Sequence, residues 1–251
     1  MREKELYDIL HNFNGFHPSQ LYTELIVIDG QESSFTEEEQ REFIVAYILY
    51  QQGALTKENY QKSLLNVDKT KTKLDALIKK IKGILPDWID LRGQNATPSE
   101  NNLKLYLSVD NSDLHYFATR LISKSLDKDY NDIDFKINND QTMNRRDNVV
   151  IYCNEKNFGK YISVVEEVLS ETPDLKLNAP HLLATPYSKH IYVGIDPNDG
   201  KTSYTEQLSN ALFQGLRNGK SEEFLVQTIQ EKQKKNEPEV RELAKLTSQQ
   251  K

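Results

Sequence analysis

Leu103-Lys104-Leu105-Tyr106-Leu107-Ser108-Val109 alternates strongly apolar with more polar residues at every step. This is the period-two pattern of a half-buried strand, with Leu103, Leu105, Leu107 and Val109 turned to a core. The opposite face displays Lys104, Tyr106 and Ser108. Further strands are expected at Ile133 to Ile137, Val149 to Cys153 and His190 to Ile195. Helices are expected through Leu114, Phe117, Leu121 and Ile122, from Asn154 through Leu169, and from Tyr204 to Leu216. Two strands adjacent in sequence, within an irregular alternation of strand and helix, point to an α+β fold: a mixed, mainly antiparallel sheet packed by helices.

N-terminal to this region the text is helical. Residues 3 to 12 place Leu6, Ile9 and Leu10 on one face, until Asn14-Gly15 and Pro18 break the pattern. Thr36 and Glu39 form a capping box for a second helix through Phe43, Ile44, Tyr47 and Ile48 to Gly53. Residues 57 to 82 are Lys-rich, with leucines and isoleucines at amphipathic spacing. A Gly/Asn/Thr/Pro/Ser-rich stretch from Gly93 to Asn102 marks the boundary. The expected division is a helical part over 1–92, an α+β domain over 100–219, and a C-terminal helix with an exposed polar tail over 220–251.

The 251 residues are 37% hydrophobic and 28% charged, enough to bury a core without disulfide or metal staples. Cys153, the single cysteine, falls in an apolar run and reads as a packing residue. The net charge of −6 gives no general attraction for nucleic acid. Glu3, Glu5, Arg2 and Lys4 interrupt any signal-peptide core, and no apolar run approaches a membrane span, so a cytoplasmic location, or delivery from the cytoplasm, is expected. The five histidines lack metal-ligand spacing, and phosphate-binding glycine motifs are absent. No metal and no cofactor is expected.

What remains is cationic. Lys104, Lys136, Arg145 and Arg146 lie on or beside separate strands, with Tyr106 and Tyr152 among them, and a sheet can gather them on one surface suited to phosphate. The competing reading makes Lys136 a residue projecting from an edge strand and pairs Arg145 with Asp147 or Asp140.

The segments Leu103 to Val109 (LKLYLSV), Asp134 to Ile137 (DFKI) and Arg145 to Tyr152 (RRDNVVIY) resemble, in order and separation, the HopA-type effector family first described in plant-pathogenic bacteria. Relatives of that family include phospho-lyases that work beside kinases in class V lanthipeptide and thioviridamide-type biosynthesis, a branch of ribosomal peptide modification. The same segments look like a distant echo of phosphothreonine lyases. The resemblance implies β-elimination of phosphate from a phosphorylated peptide or protein, leaving a dehydroamino acid, with a kinase as partner and secretion into a host cell if the chain is effector-like. It implies that Lys136 is the base, that Lys104 contacts phosphate or orients the site, and that Arg145 or Arg146 binds phosphate with Tyr152 nearby. Tyr106 stands where those lyases carry an acid histidine.

A lysine with its ordinary pKa of about 10.4 is protonated at neutral pH, so a base at Lys136 needs burial or neighbouring cations. The family's Ser-Phe-Gly segment and following arginine are replaced here by Ser203, Tyr204, Thr205 and Leu208, leaving Lys201, Lys189 or His190 to supply the missing cation. These departures support an alternative: a non-catalytic phosphopeptide- or protein-binding adaptor of the same fold.

Overall fold

The alternating stretch forms the middle of a six-stranded sheet in the computed structural model, which describes residues 2–28, 37–67, 87–139, 144–197 and 203–248. Strands β2 (Trp88–Arg92), β3 (Leu103–Leu107), β4 (Asp134–Asn138), β6 (Val149–Cys153), β7 (Thr185–Pro186) and β8 (Tyr192–Ile195) lie in the order β2-β4-β6-β3-β8-β7. Every pairing is antiparallel. The two-residue strands β1 (Val27–Ile28) and β5 (Asn144–Arg145) pair separately.

Period two divides the sheet into unlike faces. Ile89, Leu91, Leu103, Leu105, Leu107, Phe135, Ile137, Val149, Ile151 and Cys153 fill one face and belong to the main core. Helices α3 (Glu37–Gln51), α4 (Lys57–Val67), α5 (Leu114–Asp127) and α6 (Phe158–Glu171) contribute Phe43, Tyr60, Phe117, Tyr161 and neighbouring residues to that core. The other face carries Trp88, Asp90, Lys104, Tyr106, Lys136, Val150, Tyr152 and Tyr192. It is covered on the β3–β8 side by Ala184 and by helices α1 (Arg2–Asn12), α2 (Pro18–Ile26) and α7 (Tyr204–Arg217), whose Leu6, Leu21, Leu25, Tyr204 and Leu208 form a second core.

The α+β architecture follows the sequence reading, and four details depart from it. Pro18 begins α2: His17 caps the helix by accepting from Ser19 N–H, and proline is favoured at a first helical position because its missing donor has no intrahelical role there. Trp88–Arg92 is a sheet strand with alternating burial, so the sheet starts within the segment read as helical. Tyr106 is buried (2% exposed), because the second sheet face is covered where it stands. The expected C-terminal helix continues through the polar tail as α8 (Glu222–Ser248), whose Val240 and Ala244 reach the main core; scattered apolar residues sufficed to dock it. The capping residue Thr36 and the expected helical residues 68–82 lie outside the described residues.

Candidate functional site

Antiparallel register decides which polar side chains become neighbours. Lys136 in β4 stands between Asp90 of β2 and Val150 of β6, and Tyr152 of β6 stands opposite Lys104 of β3. The Lys136 ammonium lies 4.4 Å from the centre of the Trp88 ring and 5.8 Å from that of Tyr152. Lys104 shares the Tyr152 ring at 5.7 Å, and the Arg145 guanidinium lies 5.0 Å from Trp88. Two aromatic rings thus gather three cations on the part of the face that the helices leave half-open. Ring quadrupoles attract each cation, but they carry no net charge to neutralise it.

Carboxylates hold two of the cations. Lys104 Nζ is 2.6 Å from Asp196 Oδ2, and Asp196 Oδ1 accepts from the backbone N–H of Tyr204 at the start of α7. Arg145 donates to both oxygens of Asp147, at 2.9 and 3.3 Å, and the Tyr22 hydroxyl donates to the same carboxylate at 3.4 Å. Asp147 is thus the partner that the competing reading anticipated for Arg145. The Lys136 ammonium makes no hydrogen bond or ion pair among the described residues. Burial lowers its pKa; Asp147 and Asp90 oppose the shift, while Lys104 and Arg145 reinforce it. An amine in this position is easier to deprotonate than a surface lysine and sits beside groups that attract a dianion.

The other sequence-derived candidates fall elsewhere. Tyr106 lies across β6 from Lys136, its ring against Gly194 and 4.8 Å from His181; a Cβ at position 194 would come within 2.8 Å of that ring. Burial pushes its phenol pKa well up, with the Thr205 hydroxyl opposing the shift. Tyr152 is less deeply buried, with a pKa also raised by burial, and is the phenol adjoining both Lys104 and Lys136. Arg146 points away from Arg145: its guanidinium is 3% exposed, 2.5 Å from Glu5 and 3.1 Å from the Pro180 carbonyl, tying α1 to the chain before β7.

Lys189 and His190 line a separate cleft of about 250 Å³ with Ser108, Asn178, Pro180 and Tyr192. Tyr192 is three strands from Lys136 in the same row, or about 15 Å. Leu208 is packed in the second core, and Lys201 lies outside the described residues. Trp88, Asp90, Asp196 and Tyr22 escaped the sequence reading. Trp88 and Asp90 carried a usable signal, the alternation Trp-Ile-Asp-Leu-Arg; the others meet the site only through folding.

Among the described residues no group of three His, Cys, Asp or Glu side chains is placed to hold a metal ion, and no helix is long and apolar enough to cross a membrane. No protein-family model matches the chain, and no curated protein matches its sequence. Solved structures do. An effector protein from Pseudomonas syringae pv. syringae strain 61 superposes with a TM-score of 0.60 at 8% identity, over 91% of this chain and 90% of its own. An effector protein from Pseudomonas syringae pv. tomato strain DC3000 does so with a TM-score of 0.55 at 16% identity, over 86% and 85%. At such identities the likeness establishes a shared fold.

Proposed function

We propose that this chain is a metal-independent phospho-lyase of effector-like fold that removes phosphate from phosphoserine or phosphothreonine in a peptide, acting after a kinase. The observation that carries this reading is Lys136: half-buried, without a carboxylate partner among the described residues, lowered in pKa, and flanked by Lys104 and Arg145. Neutral Lys136 takes the α-proton, the α-carbon electron pair forms the Cα–Cβ double bond, and the Cβ–O bond breaks to release phosphate. Lys104 and Arg145 hold the phosphate through charge-assisted hydrogen bonds, exchanging part of their contact with Asp196 and Asp147 for it. Tyr152, rather than the enclosed Tyr106, is the phenol placed to donate a proton to the departing oxygen.

The reading is tested by incubating the protein with phosphoserine and phosphothreonine peptides. Loss of phosphoric acid should appear in the peptide mass, and Lys136→Ala should reduce its rate by about 10²- to 10⁴-fold, the usual effect of removing a general base. An unchanged rate in the variant would reject the assignment.

One observation favours a second reading, an adaptor that binds phosphopeptides without turning them over. Tyr106 occupies the acid position yet is enclosed by Gly194, His181 and Thr205. Phosphopeptide binding without mass loss, weakened by Arg145→Ala, would select the adaptor.

A further inference from the structure

Antiparallel strands turn their N–H and C=O groups alternately to one side and the other. Asn139 N–H donates to the Asp87 carbonyl at 2.6 Å and Gly93 N–H to the Ile133 carbonyl at 2.7 Å, which sets the parity of β2. Residues 87, 89, 91 and 93 therefore face β4, and the backbone groups of Trp88, Asp90 and Arg92 point away from the sheet. Among the described residues these outward groups have no backbone partner.

The opposite edge is treated differently. Strand β7 is two residues long, ends in Pro186 and lies under α8, whose Gln233 donates to the Leu182, Leu183 and Ala184 carbonyls at 3.0, 3.0 and 3.3 Å. A short strand with proline is a usual way of closing an edge. Strand β2 is five residues long and adjoins the cation cluster.

We propose that β2 is the docking rail for the substrate, which binds as an extended, unfolded phosphopeptide added as a further strand; this rests on the lyase or phosphopeptide-binding reading of the Lys136 site. A strand added there lies about 4.8 Å from β2. Every second side chain of the added strand then stands on the half-open face beside Trp88, Asp90 or Arg92. Lys136 and Arg145 both lie against the ring of Trp88, a β2 residue, so a side chain of the added strand that crosses Trp88 brings its phosphate to both. Main-chain pairing supplies affinity without regard to sequence, and the cations select the phosphorylated residue. The substrate class is therefore a flexible phosphorylated segment rather than a phosphoresidue fixed in a folded helix.

The test is a scan of single backbone N-methyl groups along a phosphoserine peptide. Binding is measured on Lys136→Ala and turnover on the unmodified protein. The expected result is a period-two pattern, with methylation at alternate positions weakening binding at least about tenfold and intervening positions tolerated. Asp90→Pro, which removes an outward N–H and spares the pairing with β4, should reproduce the loss beyond any change produced by Asp90→Ala, which removes the carboxylate alone. Circular dichroism checks the fold of the proline variant, and the peptide scan decides independently of it. Turnover with a scan lacking period two overturns this docking mode and leaves the lyase reading standing. Period-two binding without turnover retains the docking mode and rejects the lyase reading. Failure of every phosphopeptide to bind rejects both.

Discussion

Lys136 is the residue on which the proposed chemistry rests, and it is also a burden on the fold. Its folded pKa is lowered, first by burial, so in the window between that value and the unfolded value near 10.5 the unfolded chain binds more protons. Stability contributed by this group must therefore rise as pH climbs through that window. Lys136→Met removes the rise, and the difference between the alkaline urea-unfolding curves of the two proteins isolates it from tyrosine ionisation. At neutral pH the same substitution exchanges ring–cation attraction for relief of a buried charge, so the net change should lie within about 1 kcal/mol of zero. A large loss of stability would mean that Lys136 is a structural residue. Lys136, Lys104 and Arg145 were legible as candidates because alternation predicts which face a residue occupies. The sequence did not separate Arg145 from Arg146, since which of two consecutive arginines faces the site depends on the pairing of β5 with β1.

At the scale of elements, β3, β4, β6 and the helices between them were legible because their apolar periods are long and unbroken. Helix α2 and strand β2 were not, since Pro18 and the brevity of Trp88–Arg92 look like loop signals until tertiary partners are known. The start of helix α8 was legible from Ser221 and its apolar Leu225, Val226 and Ile229, but its continuation was not: beyond Ile229 only Val240 and Ala244 are buried apolar positions in an otherwise polar stretch. Val240→Ala should cost about 2 kcal/mol in urea unfolding, the loss of two buried methyl groups plus a small cavity. A change near zero would show that the docked tail adds nothing to stability.

The segment joining β5 to β6 makes a complementary case. Asn148 accepts from the Val109 N–H at 2.9 Å and donates to the Val109 carbonyl, extending the hold of β6 on the end of β3, and Ser108 Oγ donates to the Arg145 carbonyl at 3.0 Å. Asn148→Ala should destabilise the protein by about 1–3 kcal/mol, because it strands a buried backbone donor. It should also loosen Arg145, raising KM for the phosphopeptide more than it lowers kcat.

At the scale of the whole molecule, one sheet is used twice. One face and its helices make the core. The other is closed by α1, α2 and α7 over β3 and β8 and left half-open over β2 and β4, which is where Lys136, Arg145 and the two aromatic rings meet. The effector structures share this fold at low identity, so the reaction must be read from the residues on that half-open strip. The most direct measurement is the mass of a phosphothreonine peptide after incubation with the protein and with Lys136→Ala. Loss of phosphoric acid with the first and its near-abolition with the second is the predicted result. A peptide whose mass stays unchanged with the unmodified protein, although it binds, would contradict the elimination.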